Sequence, residues 1–228
     1  MKTITSRQNA MFKRVREAQR EHRDEIVIEG PKFVDDAIAC HFRPIVLIYR
    51  SQVAGRRSQE IAFSSELFDA VAGTKTPQNV IGVFERPRFD TSSVLGSRSS
   101  VVVALDGVQD PGNVGTIVRL AAAFDCSGVA LLPGCADVYS AKAIRASAGA
   151  VLSVPVVNVS AAELISSKLP IYAADARGKT SDPPAKRAII AFGSEGRGVS
   201  DEIRAAATPI AIAMSPRIES LNVAASAA

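Results

Sequence analysis

The sequence predicts an α/β protein in two parts. Residues 101–228 read as a mostly parallel sheet with helices on both faces, and residues 1–85 as a smaller α/β domain. Three observations carry this. Short apolar runs rich in β-branched residues alternate with helical patterns along the whole chain. Several of those runs stop at a glycine or a carboxylate, as buried strands do at the carboxyl edge of a parallel sheet. Between 86 and 100 the alternation breaks, with Arg86-Pro87-Arg88 followed by a Ser/Gly/Arg stretch, which marks a linker.

In order, residues 1–23 read as an exposed helix after a short lead. Met11, Phe12, Val15 and Ala18 supply its apolar stripe, and Lys13, Arg14, Arg16, Arg20 and Arg23 crowd the rest. Such a helix is either a phosphate-contacting element or simply a solvated face. Strands are expected at Glu25–Glu29, Pro44–Tyr49, Ile61–Phe63 and Val80–Phe84, with helices at Phe33–Cys40 and Ser65–Val71. The second part opens with Val101–Asp106, a strand ending in a carboxylate, then a loop from Gly107 to Gly115 and a helix from Thr116 to Phe124. Strands follow at Gly128–Pro133, Val154–Val157, Ile171–Asp175, Ala188–Phe192 and Ile210–Met214, with helices at Ala141–Ala148 and Ala161–Lys168.

Composition narrows the class. An apolar fraction of 47% with 22% charged residues is ordinary for a globular protein, and no run approaches the roughly 20 apolar residues of a membrane span. Nor does the N-terminus carry the apolar core of a secretory signal. Three scattered cysteines, Cys40, Cys126 and Cys135, have no metal-ligand spacing and suit reduced thiols in the cytoplasm. Residues 1–100 hold 16 Lys+Arg against 12 Asp+Glu, whereas residues 101–228 hold 11 of each. A basic first part beside a neutral second part suits a nucleic-acid grip joined to a module with other work. Both histidines, His22 and His41, lie in the first part.

Three constellations could carry chemistry. In Asn113-x-Gly115-x-x-x-Arg119, a loop enters a helix and an arginine sits among Ile117, Val118 and Leu120; it either faces an anion or emerges on a polar side. In Phe192-Gly193-Ser194-Glu195-Gly196-Arg197-Gly198, three glycines in six positions let the backbone turn tightly and approach a ligand, with Glu195 held in the middle. A tight turn with a solvated glutamate is the plainer reading. The third runs from Ile212 and Met214 through a polar loop to Ser220-Leu221-Asn222-Val223-Ala224, where Ser220 or Asn222 could also just cap a helix.

Taken together, in this order and spacing, the three constellations resemble the signatures of the SpoU (TrmH-like) RNA ribose 2′-O-methyltransferases of the SPOUT superfamily. The match spans Asn113–Arg119, Phe192–Gly198 and Ile212–Ala224. More loosely, Ile4-Thr5-Ser6, Asn9, Lys13 and Ile28-Glu29-Gly30 resemble the small RNA-binding domain often fused ahead of the catalytic one. The resemblance implies a trefoil-knotted catalytic domain, a homodimer, RNA as partner (ribosomal RNA favoured over transfer RNA) and S-adenosylmethionine as cofactor with no metal. It implies that Gly193, Gly196, Ile212, Met214, Leu221, Val223 and Ala224 hold the cofactor. Asn113, Arg119, Glu195, Ser220 and Asn222 fall on the positions assigned to catalysis or ribose binding. The RNA grip is expected from the basic helix itself, at Lys13, Arg14, Arg16, Arg20 and Arg23. The family proposal makes the residue at Arg119 the general base; anchoring a phosphate is an equal alternative, since guanidinium has no acceptor while protonated.

Family members usually continue into a longer C-terminal helix, so the short run after Asn222 leads us to expect a truncated one. Other classes lack their marks: there is no Gly-x-Gly-x-x-Gly after the first strand of a βαβ unit, no phosphate-binding Gly-x-x-x-x-Gly-Lys-Ser/Thr, and no serine-hydrolase elbow. The remaining rival is a non-catalytic RNA-binding protein that keeps the fold.

Overall fold

A computed structural model describes residues 3–21, 23–51, 60–74, 76–96, 101–179, 187–215 and 217–228. The chain divides into two compact units, one of Met1–Pro87 with Tyr139–Ile144, the other of Arg88–Val138 with Arg145–Ala228.

The first unit contains β1 (Thr3–Ile4), α1 (Ala10–Glu21), β2 (Glu25–Glu29), α2 (Pro31–Ala39), β3 (Pro44–Arg50), β4 (Glu60–Phe63), α3 (Ser65–Val71) and β5 (Val80–Glu85). Its sheet runs β1-β4-β3-β5-β2, with β1, β4 and β3 parallel and β5 antiparallel to both its neighbours. Helix α1 turns Val15 and Ala18 into a core of Val27, Ile48, Phe63 and Phe68, and packs Met11 and Phe12 against it, as its apolar spacing requires. Glu29 holds a turn: its carboxylate accepts from the Gly73 N–H at 2.8 Å and from the Thr74 hydroxyl. The two-residue β1 falls where only a lead was expected; so short a strand leaves no periodicity to read.

The second unit begins with α4 (Thr91–Leu95), inside the stretch expected as a linker. Val94 and Leu95 are buried in the core of this unit, so at least 91–95 is a packed element; residues 97–100 of that expectation lie outside the described residues. Along the chain there follow β6 (Val102–Asp106), α5 (Pro111–Ala123), β7 (Gly128–Leu131), α6 (Ala141–Ala146, most of which belongs to the Tyr139–Ile144 stretch of the first unit), a 3-10 turn at Ala150–Leu152, β8 (Val156–Asn158), α7 (Ala161–Ser166), β9 (Ile171–Lys179), β10 (Ile189–Gly193), α8 (Asp201–Ala206), β11 (Thr208–Ile210) and α9 (Val223–Ser226). The sheet order is β11-β9-β10-β6-β7-β8 and every pairing is parallel. Val102 and Ala104 join one core cluster with Val94, Leu164 and Ile203. The alternating residues Val103 and Leu105 point to the opposite face; α5 packs along β6 and β7 and also meets α9.

Two boundaries differ from expectation. Helix α5 starts at Pro111, not Thr116: Asp110 caps it, accepting from the Asn113 N–H at 2.9 Å, and Pro111 occupies the first turn. An Asp-Pro start, with φ preset by the ring, outweighs the glycines that made this stretch read as a loop. Asn113 therefore rides on the rigid first turn of a helix. The strand expected at Ile210–Met214 is only Thr208–Ile210, because beyond Ile210 the chain leaves β9 and turns along the carboxyl edge of the sheet.

Replacing Asp110 by alanine removes the cap that fixes the start of α5. We expect a loss of about 1 kcal/mol of stability, read as a lower urea midpoint at unchanged slope.

Candidate active site

Strand β6 leads onward to β7 and β8 on one side, whereas β10 leads to α8 and β11 on the other. These two central strands are neighbours, in register from Ile189 opposite Val102 to Gly193 opposite Asp106. The loops leaving them diverge, which opens a crevice at the carboxyl ends, the usual ligand position in an open parallel sheet.

Three stretches meet in that crevice. Asn113, on α5 after β6, donates from Nδ2 to Glu195 Oε1 at 2.5 Å, on the loop after β10. The Asn113 Oδ1 in turn accepts from Asn222 Nδ2 at 3.2 Å. Asn222 uses its own Oδ1 to cap α9, accepting from the N–H groups of Ala224 and Ala225 at 2.9 and 3.3 Å. Both ends of the Asn113 amide are thus assigned by their partners. Its nitrogen faces a carboxylate and its oxygen faces an amide nitrogen, so a flip would set oxygen against oxygen.

The loop after β10 closes on itself. Ser194 and Gly198 exchange two backbone hydrogen bonds, of 3.1 and 2.8 Å. A Cβ on Gly193 would lie 1.9 Å from the Gly198 carbonyl carbon and 2.1 Å from the Val199 nitrogen. Gly193 is therefore required by the approach of the loop's own backbone, the tight turn expected of this glycine-rich stretch. Gly198 has φ +68, a left-handed conformation natural to glycine. Gly196, by contrast, faces open space. Asp106, buried at the end of β6, accepts from the Ser200 N–H at 2.7 Å and ties the end of the loop to the central strand.

Beside this network lies a cleft of about 250 Å³ whose walls include Asp175 at β9, Gly193–Glu195, Arg197 and Gly198 of the loop, Arg204, Ile212, Met214, Ser220, Leu221 and Val223. Ile212 is 47% exposed and Leu221 36%, an unusual exposure for large apolar side chains that a flat, partly apolar ligand would cover. Of the residues expected to hold a cofactor, Gly193, Ile212, Met214, Leu221 and Val223 line the cleft, and Gly196 and Ala224 do not. Of those expected in catalysis, Glu195 and Ser220 line it, and Asn113 and Asn222 are linked to it through Glu195. Arg119 is exposed on α5 and forms no ion pair among the described residues, a placement that fits either of the two readings open to it. Among the described residues no cluster of His, Cys, Asp and Glu could hold a metal ion. Burial pushes the Cys126 and Cys135 thiols up from their ordinary pKa, away from thiolate reactivity.

The basic residues of α1 divide. Arg14 forks onto Glu25 of β2, with Nε 3.0 and 3.1 Å and Nη2 2.5 Å from the carboxylate, and that hydrogen bonding raises its pKa further. Arg14 is thus occupied by its own unit. Lys13, Arg16 and Arg20 line a shallow groove with Arg7 and Phe12; Arg23 lies beyond the helix, exposed. Sequence reasoning singled out neither Arg204, Arg197 nor Asp175 on the cleft wall. Asp106 was visible only as a carboxylate closing a strand.

The SpoU rRNA Methylase family matches residues 100–228. The 23S rRNA (adenosine(1067)-2'-O)-methyltransferase of Streptomyces laurentii is 35% identical over 176 residues, covering 72% of this chain and 64% of that protein. Mitochondrial rRNA methyltransferase 3 of Mus musculus is 30% identical over 172 residues, 68% of this chain; the chain spans only 41% of that relative's length. Among solved structures, the AdoMet-bound rRNA methyltransferase of Sinorhizobium meliloti superposes with a TM-score of 0.86 at 26% identity, covering 99% of this chain and 94% of that one. The signature loops that meet in the crevice, the parallel sheet that presents them and the matched stretch agree: the chain belongs to the SpoU rRNA methylase family, within the SPOUT superfamily.

Proposed function

We propose that the chain transfers a methyl group from S-adenosylmethionine to a ribose 2′-hydroxyl of RNA, with ribosomal RNA as substrate, and works as a homodimer whose C-terminal segment threads a trefoil knot. The observation that carries the reading is the bonded chain Glu195–Asn113–Asn222 set beside a half-apolar cleft at the switch point of the sheet.

The cleft fits the cofactor on its own terms. Ile212, Met214 and Leu221 offer apolar surface to a purine, and the loop Gly193–Gly198 brings backbone groups to its edge. S-adenosylmethionine, when bound, supplies an electrophilic methyl on a sulfonium. The chain's task is then to place a hydroxyl against it, and such positioning can contribute about 7–11 kcal/mol. Glu195, fixed by Asn113, and Ser220, on the cleft wall, orient the ribose. Arg119 presents an exposed cation that anchors the RNA phosphate and offsets charge developing on the ribose oxygen. The proton passes to phosphate or solvent, since a protonated guanidinium has no acceptor.

Lys13, Arg16 and Arg20 hold the RNA backbone along the α1 groove. The ion pair of Arg20 with Glu21, 3.2 Å apart at the surface, is weak enough to yield to a phosphate.

Labelled methyl should pass from S-adenosylmethionine into unmodified ribosomal RNA transcripts and protect one site from alkaline cleavage. Label confined to transfer RNA would reverse the substrate, and its absence from both would remove the activity. Arg119→Ala should lower turnover by about 100-fold or more. Arg119→Lys should keep part of the rate with an unshifted pH profile; a lowered apparent pKa would instead make Arg119 the base. Replacing Lys13, Arg16 and Arg20 together should flatten the salt dependence of RNA binding by about two to three units of slope, while Arg14→Ala should lower stability and leave that slope alone.

A further inference from the structure

The loop that carries Glu195 has two limbs, and only the outgoing one continues a strand. The return limb, residues 197–200, has to be held by something else. Asp106 fixes its end through the Ser200 N–H. Its middle is held by Arg204 from α8. Nη2 of Arg204 donates to two carbonyls, that of Val199 at 2.8 Å and that of Arg197 at 3.2 Å, and so straddles Gly198. Nη1 of the same guanidinium donates to Asp201 Oδ1 at 2.5 Å at the surface.

The two carbonyls lie on either side of the left-handed Gly198, where the chain reverses and regular pairing stops. Carbonyls at such a point need partners from outside the ladder. A guanidinium supplies several donors in one rigid plane, so it can bridge both and still reach Asp201; an ammonium on a flexible stem has no such fixed geometry. Arg204 also forms part of the cleft wall next to Arg197 and Gly198. Its position therefore sets the width of the cleft as well as the course of the loop.

We propose that Arg204 is a positioning residue of the active site: by clamping the carbonyls of Arg197 and Val199 it holds the return limb of the Glu195 loop in its ligand-ready form. The clamp stands on the geometry alone, whereas its effect on the cofactor rests on the function proposed above. Without the guanidinium, the Ser194–Gly198 pairing loses its outer support and the cleft wall loosens before any ligand arrives. The contact with Asp201 is peripheral, because that carboxylate is almost fully exposed.

The test joins two readouts on the full chain. In the ligand-free protein, amide exchange of the segment 194–199 should accelerate at least tenfold in Arg204→Ala and Arg204→Lys, and remain as in the wild type in Asp201→Asn. Calorimetric titration with S-adenosylmethionine should show at least tenfold weaker binding for both Arg204 variants, with methylguanidinium restoring part of the affinity of Arg204→Ala. Unchanged exchange in Arg204→Lys overturns the clamp. Faster exchange with wild-type affinity, or a falling unfolding midpoint as the sole change, makes Arg204 structural and overturns its positioning role. A wild-type protein that fails to bind S-adenosylmethionine would sink the cofactor reading, and the exchange data would still decide the clamp.

Discussion

Strands β6 and β10 are not consecutive, yet they lie side by side and in register, so Asp106 and Gly193 arrive level at the same edge of the sheet. Every polar feature of the site depends on that alignment. The carboxylate ending β6 reaches the return limb of the loop that leaves β10, and the first turn of the helix that follows β6 faces the outgoing limb of the same loop. A slip of one residue between these strands would turn each of their side chains to the opposite face. Packing of the two core faces thus fixes the chemistry indirectly, by making only one register tolerable.

Given this register, small residues and a few hydrogen bonds shape the loop. At Gly193 the backbone of Gly198 and Val199 comes within the space of a missing Cβ, so a turn of six residues can fold flat onto itself. Tight closure leaves Glu195 projecting at the tip, where its partner is an amide rather than a cation. The carboxylate is thus oriented by an amide, with no ion pair among the described residues competing for it at the cleft. Asn113 is held in turn by Asn222, and Asn222 by the start of α9. The C-terminal helix, though only four residues long, thereby takes part in orienting a side chain more than a hundred positions earlier.

Much of this was legible in the sequence, for identifiable reasons. Apolar β-branched runs such as Val101–Leu105 and Ile189–Phe192 admit only a buried strand, and their ends located the crevice. Asn113, Glu195 and Asn222 stood out because polar residues were placed among glycines and small residues at loop–element junctions. Their mutual bonding was invisible, since it depends on strand order. Alternation from Ile210 to Met214 reads as a strand, but only Ile210 still pairs with β9; Ile212 and Met214 are apolar because they line the cleft. Helix α8 is too short to show a period. Arg204 looked like any surface arginine, because its partners are backbone carbonyls and carbonyls have no letter in the sequence.

Residues 101–228 contain no histidine, the commonest general base, and the site is built accordingly. The polar groups around the cleft are amides, hydroxyls, carboxylates and guanidinium groups, and both histidines belong to the first 41 residues of the chain. Amides do not titrate, and each amide in the Glu195–Asn113–Asn222 chain has its orientation dictated by its neighbours. Such a network is suited to holding one geometry. A displacement at a hydroxyl gains most from such a site when the electrophile is strong and the approach is well aligned. Preorganisation, from the strand register through the glycine turn to the bonded amides, is therefore the property on which the proposed reaction would depend most.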